Sequence, residues 1–189
     1  MEQQIPMAFY LHHRRSVRLS GYDYSSAGAY FVTVCTQGKE WVLGEVHGGA
    51  SVPSDAGKMV EQWWQRIPGK FSSVHTDAFV VMPDHIHGII VLSHESGTNV
   101  GADPCVCPPD PCVCPDNTGA HTGAPLQRIV QWFKTMTTNE YIKHVKNGGW
   151  KPFAGRLWQR TYYEHVIRDD YELNIIRKYV INNPARWDE

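Results

Sequence analysis

The feature that most narrows what this chain can fold into is the stretch 76–92. There two runs rich in β-branched and aromatic residues, TDAFVVM and HIHGIIVL, are parted only by Pro83-Asp84. Such runs favour strands, and Pro-Asp breaks them, so the stretch reads as a hairpin or as a strand with a sharp bend. Ala29–Thr36 (AYFVTVCT) is another strand of this composition, with Trp41–Val46 expected as its hairpin partner. Helical periodicity lies between and after these runs. From Asp55, residues Met59, Trp63 and Ile67 recur every fourth position, up to a stop at Gly69. Pro125–Tyr141 places Leu126, Ile129, Val130, Phe133 and Met136 on one helix face. Leu157–Tyr163 (LWQRTYY) reads as a short extended segment, with a turn or short helix near His165. Asp169 or Asp170 caps a last helix carrying Leu173, Ile176 and Val180, which ends at Asn183 because Pro184 disfavours further helix. The order of elements predicts an α+β fold: a ferredoxin-like (RRM-like) antiparallel sheet with helices on one face.

The 189 residues are enough for one domain with a real core and short for two, so 1–189 reads as a single unit. It has a polar, basic N-terminal arm (1–28) and an insertion (94–124) of Gly, Pro, Asp, Thr and Cys that cannot bury a core and is expected to be disordered. Within that insertion a duplicated Asp-Pro-Cys-Val-Cys-Pro unit supplies Cys105, Cys107, Cys112 and Cys114. Structural zinc sites favour Cys pairs two to four residues apart, so a loop is the preferred reading over a zinc site. Cys35, alone in an apolar run, reads as a core thiol. No apolar run approaches the length of a membrane span, and Met1–Phe9 lacks the pattern of a secretory signal, so the expectation is a cytoplasmic protein without a membrane partner.

Eighteen basic residues face 19 acidic ones, for a net charge of -1, a balance that does not favour a nucleic-acid binder. The distribution is uneven. Arg14, Arg15 and Arg18 cluster near the N-terminus, Arg156, Arg160, Arg168, Arg177 and Lys178 crowd the C-terminal third, and much of the acid lies between Asp55 and Asp116.

Two features carry chemistry. In a strand, residues two apart share a face, so His85 and His87 stand side by side with Ile86 turned into the opposite, buried layer. Neutral imidazoles so placed can hold one divalent cation if a third ligand, such as Glu, Asp, Asn or Gln, joins them. The plainer alternative is a pair of surface strand histidines. The second feature is Tyr179, one helical turn before Asn183, so that a phenol and an amide oxygen can approach one site together. Tyrosinate suits phosphodiester chemistry because it leaves as well as it attacks, and with an ordinary pKa of about 10 a phenol needs help to lose its proton. A metal polarising the phosphate assists such a step. The plainer alternative for Tyr179 is a half-buried aromatic on an amphipathic helix.

Four segments carry a family resemblance. These are Arg18-Leu19-Ser20-Gly21-Tyr22-Asp23-Tyr24 with Gly28–Thr33, Met82-Pro83-Asp84-His85-Ile86-His87-Gly88, Leu157–Arg168, and Tyr179-Val180-Ile181-Asn182-Asn183-Pro184. In that order, over nearly the whole chain outside 94–124, they resemble the REP-associated tyrosine transposases, single-tyrosine HUH nucleases similar to insertion-sequence transposases. The resemblance implies a ferredoxin-like domain whose two histidines, here His85 and His87, bind Mg²⁺ or Mn²⁺ with Asn183 as the amide-type third ligand. It implies that Tyr179 attacks single-stranded or hairpin-forming DNA to give a 5′-phosphotyrosine and a free 3′-hydroxyl, and that the protein works as a monomer more readily than as a dimer. Tyr163, with Tyr162 beside it, is a rival nucleophile, and His165 is a secondary candidate as ligand or phosphate contact. Asp84 either orients a histidine or is a turn residue, with the turn preferred. Arg14, Arg15, Arg18, Arg128, Lys134 and Arg160 are the candidate DNA contacts, with Trp132 or Trp158 as faces for unpaired bases. The competing function is a non-catalytic module of the same fold that binds single-stranded RNA or DNA. A water-using phosphodiesterase is a further one.

Overall fold

The computed structural model describes residues 26–93 and 126–187. The N-terminal arm up to residue 25, and with it Arg14, Arg15 and Arg18, lies outside the described residues, as does the insertion with its four cysteines. In chain order the elements are β1 (Gly28–Cys35), β2 (Gly44–His47), β3 (Ala50–Pro53), α1 (Asp55–Gln65), α2 (Ile67–Lys70), β4 (Val74–Val81), β5 (His85–Leu92), α3 (Leu126–Lys146), β6 (Tyr163–Ile167) and α4 (Asp170–Asn182).

Four strands form one sheet in the order β4-β5-β1-β6, every neighbouring pair antiparallel. With α1 and α3 as the connections, this is the ferredoxin-like order. β4 and β5 are the hairpin around Pro83-Asp84. Side chains alternate across the sheet. One face carries Tyr30, Val32, Val34, Ile86 and Ile90, all fully buried, in one cluster with Met59, Val60 and Trp64 of α1 and Leu126, Ile129, Val130 and Phe133 of α3. The opposite face carries Phe31, Ile89 and Ile167, which cluster with Val180 and are packed by Leu173, Ile176 and Tyr179 of α4. The expected face is thus covered by two helices, and α4 lies across the other. Asp169 caps α4, its side chain accepting from the Glu172 backbone N–H at 2.8 Å.

Three local expectations are corrected. Trp41–Val46 does not pair with β1, whose neighbours are β5 and β6. Instead β2 pairs with β3 through Gly48-Gly49, whose φ values of 56° and 74° are those of a tight hairpin turn that glycine adopts at low cost. The final strand begins at Tyr163 and includes His165, whereas Leu157–Tyr162 is irregular. Leu157 and Trp158 are spent on the core there, with the Trp158 indole donating to Thr137 Oγ1 of α3 at 2.8 Å. On α3 the buried stripe continues through Thr137 and Tyr141, not Met136, and the helix runs on to Lys146. Cys35 is half-buried. Among the described residues no helix is long and apolar enough to cross a membrane.

Candidate functional site

His85 opens β5 and His87 follows two residues later on the α4 face, while Ile86 between them is fully buried on the other. Across the sheet His87 lies in one row with Thr33 of β1, Tyr163 of β6 and Val80 of β4. Each ring is aimed by a partner at its Nδ1. Asp84, 5% exposed, sets its carboxylate against His85 Nδ1, while Thr33 Oγ1 lies 2.8 Å from His87 Nδ1. Asp84 is therefore more than a turn residue. Its carboxylate accepts the Nδ1 proton and leaves His85 Nε2 as a lone pair. The two Nε2 atoms then face one another at 3.0 Å, with ring centroids 4.5 Å apart.

Burial lowers the pKa of both imidazoles. For His85 the Asp84 carboxylate pulls the other way, and for His87, only 5% exposed, the fall is well below the ordinary value, with His85 adding to it. Both are neutral bases near pH 7, the form that binds metal. Two donors each about 2.1 Å from one ion and at right angles are about 3.0 Å apart, so the observed separation fits a shared cation of octahedral preference. Among the described residues no group of three or more His, Cys, Asp or Glu is arranged to hold a metal.

The last helix supplies the remaining groups. Tyr179, half-buried, sets its ring 5.4 Å from that of His87, and both rings contact Phe31, at 5.9 and 5.3 Å. Asn183, also half-buried, is the C-cap of α4 one turn on. Four residues further, beyond a 3-10 turn at Pro184–Arg186, Trp187 tilts over His85 with centroids 5.7 Å apart. Asn183 thus stands in the chain between two residues that touch the pair. Arg177 of α4 donates to Asp77 of β4 through Nε at 3.0 and 3.1 Å and through Nη2, pinning the helix to the sheet beside the β4 bulge. That contact holds the Asp77 carboxyl below its ordinary pKa.

Other sequence candidates are placed differently. Tyr163 is 39% exposed, and burial together with the nearby Tyr179 phenol raises its pKa. It stands one strand beyond Thr33, so about 10 Å of sheet separates its backbone from that of His87. His165 Nε2 lies 2.7 Å from Glu172 Oε1 of α4. Lys134 donates to the carbonyls of Gln159, Arg160 and Thr161 at 3.0, 3.4 and 3.2 Å. Burial lowers its pKa to about 8. Its ammonium fastens the irregular segment ahead of β6. Arg128 is exposed on α3, in the layer opposite the histidines, and Arg160 is exposed in that irregular segment. Trp158 is buried and Trp132 packs edge-on with Trp63 and Phe71, also on the α1–α3 side. Sequence reading overlooked Trp187, which lies beyond the end of α4 where helical spacing gives no signal.

No family model matches the chain. Two solved structures are similar in outline. One, described as a REP-associated tyrosine transposase bound to a REP hairpin, is 17% identical, with a TM-score of 0.45, covering 85% of this chain and 68% of that one. The other, described as a candidate transposase from Deinococcus radiodurans R1, is 15% identical, with a TM-score of 0.46, covering 87% and 95%. The fold assignment rests on the strand order given above, not on these overlaps. A protein of Haemophilus influenzae (strain ATCC 51907 / DSM 11121 / KW20 / Rd), described only as uncharacterized, is 34% identical over 179 residues, covering 95% of this chain and 92% of that protein. At that identity and coverage, the chain belongs to the same family as the Haemophilus influenzae protein.

Proposed function

We propose that this protein is a transposase-type nuclease that cuts and rejoins single-stranded DNA through a covalent link to Tyr179. The observation that carries the reading is the convergence of two neutral imidazoles, Nε2 to Nε2 at 3.0 Å, beneath a helix that lays a tyrosine ring against one of them. The four motifs that resemble REP-associated tyrosine transposases support the same assignment, and hairpin-forming DNA is the substrate they suggest.

In this reading the Tyr179 oxygen attacks the scissile phosphorus, the P–O3′ bond breaks, and the 3′ oxygen leaves. The phenol gives up its proton to water, and the departing oxygen takes one back. The strand lying 3′ of the cut stays attached as a 5′-phosphotyrosine ester, an energy-conserving bond that a 3′-hydroxyl can attack in reverse. His85, His87 and the Asn183 amide would hold Mg²⁺ or Mn²⁺, which when bound would supply Lewis-acid polarisation of the phosphate. Asp84 and Thr33 keep both rings aimed. Phe31 and the Arg177–Asp77 contact hold the helix, and with it the phenol, over the pair. Tyr179 is preferred to Tyr163 because its ring touches that of His87.

The test uses hairpin oligonucleotides with single-stranded flanks, labelled at either end, incubated with the protein and Mn²⁺ and resolved on a denaturing protein gel. Retention of the label 3′ of the cut, lost in Tyr179→Phe and kept in Tyr163→Phe, is the expected result. Release of both labels would make water the nucleophile, and binding without cleavage on every hairpin would leave a non-catalytic DNA-binding module.

A further inference from the structure

Beside the histidine pair the surface carries an aromatic residue that the fold does not use. Trp41 is 67% exposed, yet it is not isolated. Its ring meets that of Trp187 at 5.9 Å and 61°, and Trp187 in turn tilts over His85 at 5.7 Å and 37°. A file of three rings therefore runs from solvent to a proposed metal ligand. The segment bearing Trp41 is tied down at several points. The backbone N–H of Thr36 donates to Asp84 O at 2.8 Å, the Thr36 hydroxyl shares its one proton between Glu40 O and Asp84 O, both 2.9 Å away, and the Leu43 N–H donates to Pro83 O at 3.1 Å. The exposed indole is thus mounted on the same Pro83-Asp84 turn that launches the histidines.

Lys39, two residues before Trp41, adds a charge. It follows Gly38 (φ 68°) and is, among the described residues, the non-glycine with a left-handed backbone, φ 55°. A β-carbon is disfavoured in that conformation, and such outliers concentrate at ligand sites. Lys39 is exposed, on the segment that also carries Trp41. A bare aromatic face and an ammonium two residues apart match the two recognisable parts of a nucleotide, a base with both faces free and a phosphate. A duplex offers only the second, because its bases are stacked on each other.

We propose that Lys39, Trp41 and Trp187 form a docking site for one unpaired nucleotide adjoining the point of cleavage, its base stacked on Trp41 and its phosphate held by Lys39. This inference rests on reading the histidine pair as a DNA-cleaving centre. Its consequence is that a single strand beside the cut is required for tight binding.

The test measures anisotropy of two end-labelled probes of equal length in Mn²⁺: an oligothymidylate, and an abasic strand that keeps the phosphates and lacks the bases. Trp41→Ala weakens binding to oligothymidylate by about 5- to 150-fold, the range of one base–aromatic stack, and leaves the abasic probe unchanged. Trp41→Phe restores most of the loss. Lys39→Gln weakens both probes and lowers the slope of log affinity against log salt by about one. Equal weakening of both probes by Trp41→Ala, or no weakening of either, overturns the docking site. If no hairpin gives a tyrosine adduct while Trp41 still distinguishes the probes, the cleavage reading falls and takes with it the placement of the nucleotide beside a cut, leaving only a base-binding Trp41. If adducts form and Trp41→Ala binds both probes like the wild type, the docking site alone falls.

Discussion

On the α1–α3 side of the sheet, β1 and β5 present Tyr30, Val32, Val34, Ile86 and Ile90, and two helices close over them with Trp64 and Phe133. On the α4 side the same two strands present Phe31, Thr33, His85, His87 and Ile89, and one helix covers them with a single fully buried residue, Val180. The strands are the same and the pleat alone separates the two sets. Apolar area is concentrated on the first face, where it stabilises the fold. The second face keeps buried polar groups in defined geometry, each imidazole held by a hydrogen-bonding partner. Residues that would weaken a core if placed in the first layer can therefore be held in the second, and the first layer keeps the sheet rigid beneath them.

The comparison can be broken by substitution. The largest expected stability effect is on the dry face: Phe133→Ala should cost about 3–5 kcal/mol, whereas Tyr179→Phe, which keeps the ring, should cost less in the same chemical denaturation. Equal losses would mean that the second face is a core as well. Next comes Gly88, which sits between the two layers' demands. It follows His87 in β5 but faces Trp64, and a β-carbon there would lie 2.3 Å from Trp64 Cζ2. Gly88→Ala should cost about 1–3 kcal/mol by overpacking, and an unchanged melting temperature would show that the indole yields freely.

A pH titration sharpens the contrast, because the imidazoles of His85 and His87 are on the α4 side. In metal-free protein both imidazoles have folded-state pKa values lowered from 6.5. Between the lowered values and 6.5 the unfolded chain binds more protons than the folded one, so stability is intact above about 6.5 and falls as the pH drops below it. His87→Gln should flatten that fall, and a denaturation midpoint unchanged between about pH 7 and pH 5 would contradict the burial of the rings. The smallest effect is expected at Arg177→Gln, which frees α4 from Asp77. The pair is partly exposed, at 39% and 24%, so the stability loss should be small. Adduct formation should slow by more than that implies, because the phenol loses its fixed position; adduct formation at the wild-type rate would separate helix pinning from chemistry.

Much of this was legible in the sequence, for reasons that differ between elements. The bounds of β5, its alternation and the shared face of His85 and His87 follow from strand periodicity alone, and Asp169 declared its helix through capping chemistry. The face on which α4 lies was not legible, because Leu173, Ile176 and Val180 define an apolar stripe without saying which side of a sheet receives it. The segment Leu157–Tyr162 looked extended because it is aromatic, but its rings serve the core, and the Lys134 ammonium, which binds three of its carbonyls, gives no local sign. The role of Asp84 was hidden by its neighbour. Pro-Asp reads as a turn, and it is one, yet the carboxylate also reaches His85.

Pulsed electron paramagnetic resonance of the Mn²⁺-loaded protein tests the central claim most directly. Hyperfine couplings from two imidazole nitrogens, absent from a variant carrying His85→Ala and His87→Ala and retained in Tyr179→Phe, are the predicted result. Bound Mn²⁺ with no nitrogen coupling, or couplings that survive the loss of both histidines, would contradict it.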